Sequence, residues 1–451
     1  VKTTLAAIAH ALGQPGHWPD LPVTGISTDS RHVATGNLFV ALRGDTFDGH
    51  QFVAQAAAAG AIALIVEDPV DSPLPQLGVS QTLAAYQHLG QWWRQQCPAR
   101  VIAVTGSVGK TTTKEMIAAV LSHYGSVLKT EANFNNEIGV PKTLLQLEAT
   151  HDFAVIEMGM RARGEIALLS QMTQPDVAVI TNVGTAHIGR LGSREAIAAA
   201  KCELLAEMPA TSTAVLNADC PLLLTTAQQV WSGRTLSYGL TAGQHQGRYL
   251  PPQTLYVDQR SYTVPLGGAH HALNFLAALT VLRALGLNPQ DLPAQLALHL
   301  PAGRGGRYPL EPDILLLDET YNAGLESMLA ALQVLASLPG QRHVAVLGAM
   351  RELGEFSVPF HEQVGAAVAQ LGLDGLLILD DGPEGEALAR GARPVPTQQF
   401  ATHESLVQYL LAHLQAGDRL LFKASHSVAL DRVVTDVRER WLPLASDTKG
   451  A

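Results

Sequence analysis

Apolar residues in this chain fall into short, nearly continuous runs separated by amphipathic stretches, and the rhythm changes twice. Between residues 100 and 219 the runs "RVIAVTG", "FAVIEMG", "DVAVITNVG" and "TAVLNAD" alternate with "GKTTTKEMIAAVLSHYG", "GEIALLSQM" and "SREAIAAAKCELLAEM". Runs without polar interruption predict strands buried on both faces, and the stretches between them predict covering helices, which together describe a parallel sheet. The rhythm restarts with "ILLLDET", "HVAVLGAM", "GLLILDD" and "RLLFKAS" after the Gly/Pro-rich break "LPAGRGGRYPLEPD", predicting a second doubly wound unit. Ahead of both, "GISTDSRHVATGNLFVAL" predicts short strands and turns, "FVAQAAAAG" a helix and "AIALIV" a buried strand. The expected fold is α/β in three domains, residues 1–98, 99–304 and 305–451.

Composition narrows the function. The chain has 451 residues, 47% hydrophobic and 16% charged, with a net charge of −10. That suits buried cores, and with no long basic run it argues against nucleic acid as the main partner. Cys97, Cys202 and Cys220 have neither disulfide-framework nor zinc-site spacing, so a reducing, cytoplasmic setting is expected. The apolar run "AAAAGAIALIV" is far short of a membrane span.

The chemistry gathers around "VIAVTGSVGKTTTKEM", Val101 to Met116. Gly106 and Gly109 permit a tight turn whose amides point one way, feeding the positive end of a helix. Lys110 can reach β- and γ-phosphates, and the Thr111 hydroxyl can ligate Mg²⁺. Val104 stands where a full Walker pattern has its first glycine, and a plain strand–turn–helix joint is the competing explanation. Glu157 ends one strand and His187 follows another, so both should emerge beside Gly106 to Lys110. Singly, each could be a solvated carboxylate or a structural histidine. Lys201 in "AAAKCELL" has the spacing of a solvated helix lysine.

At these residues the sequence resembles the Mur ligases, amide ligases of bacterial cell-wall precursors, over nearly its whole length. "TGSVGKT" is similar to that family's short phosphate loop. "NFNNEIGVP", "DETYNAGLESM" and "MRELGEFSVPFH" resemble the members that add D-alanyl-D-alanine to UDP-N-acetylmuramoyl-tripeptide. "STDSRHVATGNLFVALRGDTFDGHQF" is similar to a UDP-sugar-binding domain. The resemblance implies an N-terminal mixed α/β UDP-sugar-binding domain, a central parallel-sheet P-loop ATPase domain and a C-terminal Rossmann-like domain. It also implies ATP and Mg²⁺.

By that resemblance Gly106, Ser107, Val108, Gly109, Lys110, Thr111 and Thr112 hold the phosphates of ATP. Thr111 and Glu157 hold one Mg²⁺ and His187 a second, while Lys201 falls where the family carries a carbamylated lysine, which once carbamylated would serve the metal–phosphate site. Asn274 lies on the adenine side, and Arg304 and Asp318 reach ATP from the third domain and its hinge. Ser30 and Arg31 meet the UDP portion, while Asn133, Asn135, Asn136, Tyr321, Asn322 and Lys423 belong to substrate-binding segments. The chain departs from the family pattern with His271 for an asparagine, Gly324-Leu325 for Asn-Pro, and "KASH" around Lys423. A monomer without membrane insertion is expected. A ligase adding one amino acid to a muramoyl peptide or glutamate to folate, an ATP-hydrolysing switch, and an inactive binding homologue are the rivals. Lysine or diaminopimelate as the tripeptide's third residue stays open.

Overall fold

A computed structural model describes residues 1–44, 46–293, 295–298 and 300–447, with side chains described through residue 441. The central sheet has seven parallel strands. From one edge they run His245–Gln246, Arg234–Gly239, Thr213–Asn217, Val177–Ile180, Arg100–Thr105, Phe153–Glu157 and Val127–Lys129. The expected parallel core is there because four central runs, Arg100–Thr105, Phe153–Glu157, Val177–Ile180 and Thr213–Asn217, are almost wholly buried, covered on both faces. One face carries helices Glu165–Thr173 and Arg194–Glu207. The other carries Lys110–Leu121 and Ala269–Ala284, packed on each other.

Chain order reverses beside Arg100–Thr105. The next strands fill one side of it, and Val177–Ile180 crosses to the other. A crevice therefore opens beyond the carboxyl ends of Arg100–Thr105, Phe153–Glu157 and Val177–Ile180.

Ahead of this sheet lies a smaller one of four parallel strands, Gly25–Ser27, Asn37–Val40, Ala63–Val66 and Gln76–Gly78. After it comes a six-stranded sheet ordered Gly306–Leu310, Ile314–Asp318, Asp418–Lys423, Arg342–Gly348, Gly375–Leu379 and Thr397–Phe400. Its first pair is antiparallel and the rest are parallel. The segment expected to be a break thus supplies an edge strand, where Pro309 is tolerated because an edge leaves one side of the ladder unpaired. An unanticipated antiparallel sheet of Arg248–Leu250, Thr254–Val257 and Arg260–Thr263 packs its Leu255, Val257 and Tyr262 against the second face of the central sheet. A continuous buried apolar cluster runs from the first face of the central sheet into the third one, through Ile188, Leu325, Met328 and Leu353.

Candidate active site

Two glycines shape the turn after Arg100–Thr105. Gly106 has φ +151° and a Cβ there would collide with the Thr181 hydroxyl. Gly109 has φ +81°, and a Cβ would lie 2.9 Å from Asn274 Oδ1. Both the backbone conformation and the close approach therefore exclude a side chain. The turn is tied to the neighbouring strand end: Asn182 accepts from Ser107 N–H (3.1 Å) through its carbonyl and from Val108 N–H (3.0 Å) through its side chain. Thr181 Oγ1 and Asn182 Nδ2 donate to Val108 O at 2.7 and 3.0 Å. Helix Lys110–Leu121 begins with no side-chain cap, so its first amides face the crevice unpaired by a capping side chain.

Lys110 folds back, donating to Gly106 O (2.9 Å) and Ser107 O (3.4 Å). Desolvation holds its pKa below the usual lysine value; Glu157 opposes that shift and Arg304 adds to it. Beside it, Thr111 Oγ1 donates to Glu157 Oε2 at 2.8 Å and Asn135 Nδ2 donates to Glu157 Oε1 at 2.7 Å. Glu157 is buried, and the Lys114 ammonium stands 3.9 Å away. A buried carboxylate next to a hydroxyl, facing a phosphate-shaped cradle, is the hard oxygen donor set that Mg²⁺ takes together with phosphate oxygens. Among the described residues no cluster of three or more His, Cys, Asp or Glu forms a closed metal cage.

His187 also lines the crevice, at φ +66°, with Nδ1 2.7 Å from Glu352 Oε2. Burial lowers its pKa first, Lys110 lowers it further, and Glu352 opposes. Lys201 is 1% exposed and makes no ion pair among the described residues. Burial, then Lys110, push its pKa well below the lysine range. It is not the solvated helix lysine that its spacing suggested: burial disfavours its charged form.

The crevice is a cavity of about 640 Å³ whose other wall comes from the third sheet and the helix Ala269–Ala284. Arg304 lies 4.0 Å over the Tyr321 ring, which stacks on His426, and the buried Arg304 Nε has no partner among the described residues. Lys423 donates to Asn322 O (2.9 Å) and Glu319 O (3.4 Å), and burial lowers its pKa against the pull of Glu319. Glu319, raised by burial, accepts from Gly305 N–H at 3.0 Å. His271 is buried, its Nδ1 has no partner among the described residues, and its ring lies tilted by 42° against His270 with centroids 3.9 Å apart.

The fold thus brings Ser107 to Thr112, Glu157, His187, Asn274, Arg304, Tyr321, Asn322 and Lys423 to one cavity, together with Asn133, Asn135 and Asn136. Asn136 spends its side chain on the amides of Ile138 and Gly139. Asp318 turns to Thr320, accepting from its N–H and hydroxyl, and its neighbour Glu319 lines the cavity instead. Ser30 donates to Gln55, and Arg31 is held by Asp29; both sit outside this cavity on the first sheet's side. Asn182, Glu319, Glu326 and Glu352 escaped the sequence reading. Only Asn182 had a usable signal, its place immediately after "DVAVIT".

Three models of one family match successive parts of the chain: Mur ligase family, catalytic domain (residues 22–92), Mur ligase middle domain (104–282) and Mur ligase, glutamate ligase domain (309–426). The UDP-N-acetylmuramoyl-tripeptide–D-alanyl-D-alanine ligase of Synechocystis is 54% identical over 93% of this chain and 92% of its own. Among solved structures, MurF from Acinetobacter baumannii superposes with a TM-score of 0.89 at 33% identity, over 97% of this chain and 99% of that one. MurF from Thermotoga maritima in complex with ADP gives 0.83 at 32% identity, over 93% and 98%. A phosphate cradle roofed by a third domain, with relatives alike from end to end, leaves one assignment: the chain belongs to the Mur ligase family.

Proposed function

We propose that the chain joins D-alanyl-D-alanine to UDP-N-acetylmuramoyl-tripeptide at the expense of ATP, giving the pentapeptide precursor of peptidoglycan, ADP and phosphate. The observation that carries this reading is the single cavity shared by the uncapped helix start, Glu157, His187 and the Arg304–Lys423 wall. It sits in a chain similar to D-alanyl-D-alanine-adding ligases throughout.

A carboxylate does not react with an amine at neutral pH because oxide is too poor a leaving group. Transfer of the γ-phosphoryl group to the tripeptide's terminal carboxylate makes an acyl phosphate. The dipeptide's free amine then attacks the carbonyl, its C–N bond forms as the C–O bond breaks, and phosphate leaves. The protein's work is positioning and charge neutralisation rather than covalent catalysis. Lys110 releases its two loop carbonyls to meet the β- and γ-phosphates, aided by the amides of the Gly106, Ser107, Val108, Gly109, Thr111 and Thr112 segment. Thr111 and Glu157 would hold Mg²⁺, and His187 with Lys201 a second ion; bound there, the metal offsets the negative charge crowded between phosphate and carboxylate.

Lys201 serves that role once its neutral amine adds CO₂ and loses a proton, turning a buried would-be cation into a carboxylate. Asn274 and Arg304 flank the nucleotide, with Asp318 ordering the turn that carries Glu319. Tyr321, Asn322 and Lys423 form the dipeptide side, Asn133, Asn135 and Asn136 the acceptor side, and Ser30 and Arg31 the UDP end. The domain limits near residues 98 and 304 follow this division of labour. The chain is proposed to act as a monomer. Free cysteines and the lack of any described helix able to cross a membrane fit work in the cytoplasm.

The test is phosphate release with ATP, Mg²⁺ and UDP-N-acetylmuramoyl-tripeptide carrying either lysine or diaminopimelate, each with and without D-alanyl-D-alanine. Release only when both acceptor and dipeptide are present supports the ligase; steady release with neither would instead favour an ATP-driven switch. Oxygen-18 in the tripeptide carboxylate must appear in the phosphate.

A further inference from the structure

The loop that delivers His187 is held from outside its own sheet. Gly184 to Arg190 follows the central strand Val177–Ile180, yet two carboxylates from the third part of the chain grip it. Glu326, at the start of helix Leu325–Ser337, accepts from Thr185 N–H at 2.8 Å and from its hydroxyl at 3.1 Å. Glu352 accepts from His187 Nδ1 at 2.7 Å and from Arg190 Nη2 at 3.3 Å. Between these grips the two backbones touch: a Cβ on Gly189 would lie 2.6 Å from Gly354 N and 2.8 Å from Leu353 C.

Both partners of the central contact are strained. His187 and Glu352 occupy left-handed backbone at φ +66° and +64°, which costs a non-glycine residue about 1 kcal/mol or more and persists only where the surroundings over-determine it. The surroundings of Glu352 do so. Met350 N–H donates to His361 Nε2 at 2.8 Å, His361 Nδ1 donates to Ser357 O at 2.6 Å, and Arg351 N–H donates to Ser425 Oγ at 2.9 Å. The segment that ends strand Arg342–Gly348 is pinned one and two residues before it projects Glu352.

We propose that Glu352 is a positioning residue: its carboxylate holds His187 as the Nδ1–H tautomer and presents Nε2 to the phosphate cavity, so that docking of the third domain completes a metal site in the central one. The inference rests on the ligase reading above and on the metal role proposed for His187. A neutral imidazole with a carboxylate on Nδ1 must carry its hydrogen there, leaving the Nε2 lone pair free to ligate. His187 lines the cavity and Glu352 does not, as a supporting group behind a ligand should. Glu326 grips two residues upstream and fixes the loop against which the ring is set.

The experiment compares Glu352→Ala with Glu352→Gln, whose amide oxygen can still accept from Nδ1–H. Three measurements are made on each: ¹⁵N shifts of the His187 ring, Mn²⁺ affinity by electron paramagnetic resonance with a non-hydrolysable ATP analogue, and kcat and KM for ligation. In Glu352→Ala the ring should lose its single-tautomer signature, Mn²⁺ binding should weaken about 10- to 100-fold and kcat should fall alongside. KM for D-alanyl-D-alanine should stay near the wild-type value. Glu352→Gln should keep the tautomer and most of the metal affinity. An unchanged ring signature and Mn²⁺ affinity in Glu352→Ala would reduce the contact to a docking pair. Tighter Mn²⁺ binding would make Glu352 a block on the site; either result overturns the proposal. Wild-type protein that shows the Nδ1–H signature but ligates nothing defeats the ligase reading instead.

Discussion

The two walls of the cavity are finished to different degrees. On the cradle side the side chains and turn carbonyls named above already have partners, Lys110 on two carbonyls, Glu157 on Thr111 and Asn135, Val108 between Thr181 and Asn182, and what stays open is the uncapped start of helix Lys110–Leu121. On the facing side Arg304 Nε and His271 Nδ1 are buried with no partner among the described residues, and burial shifts both Lys423 and Glu319 away from their charged forms. A buried polar atom left unpaired costs about 1–3 kcal/mol, which a well-fitted ligand can return. On the function proposed above, the cradle is the part fitted to a string of phosphates. The facing wall stores its binding capacity until the remaining substrate groups arrive.

Variants on the two sides should fail differently. Lys110→Ala should leave the fold intact and drop ligation about a thousandfold or more, since it removes a charge needed as phosphoryl transfer proceeds; near-normal kcat would refute its role. Lys201→Ala should fall nearly as far. Wild-type protein stripped of CO₂ should lose activity and regain it with bicarbonate, and ¹³C-bicarbonate should give a carbamate resonance. An active, bicarbonate-indifferent Lys201→Ala would remove that idea. On the other wall, Arg304→Ala should act chiefly on KM, about tenfold, because a group that waits for substrate contributes to binding first. Should Arg304→Ala instead abolish kcat while leaving KM alone, the contrast between the walls fails.

What could be read in advance follows the same division. The parallel central sheet was legible because its strands are unbroken apolar runs, and the cradle because "TGSVGK" is six consecutive residues of chain. Glu157 and His187 could be placed because a strand's end is local information and the switch in strand order brings such ends together. The sheet of Arg248–Leu250, Thr254–Val257 and Arg260–Thr263 escaped notice: its strands are short and half-exposed, and its second turn uses Asp258-Gln259 at positive φ where glycine or asparagine would have marked it. Glu326 and Glu352 were illegible for a stronger reason. They meet Thr185 and His187 across 141 and 165 residues, and no periodicity encodes a contact between separate sheets. Lys201 misled, because a lysine on a helix looks solvated until the burying neighbour is known.

The smallest effect expected lies behind the clasp formed by Glu352 on His187 and Arg190, at His361. The ring is fully buried and uses both nitrogens, Nδ1–H toward Ser357 O and Nε2 toward Met350 N–H. A proton on Nε2 would set two donors against each other, so the fold requires the neutral ring. Burial lowers the folded-state pKa first; Ser357 O, Glu384 and Asp380 oppose that, and Arg351 adds to it. With the unfolded value near 6.5, the unfolded chain binds more protons below that pH. The stabilising contribution is therefore complete above pH 6.5 and is lost as pH falls through the lowered folded value. Hydrogen exchange at the Met350 amide, corrected for its intrinsic rate, should show protection falling as pH drops from 7 to 5. In His361→Leu the amide has no acceptor, a loss of about 1–3 kcal/mol, so its protection should already be low at pH 7 and show no such transition. Equal pH sensitivity in the variant would place the sensitive group elsewhere. The pinning of Glu352 would then rest on Ser425 alone, and the rigid half of the clasp would be weaker than its geometry implies.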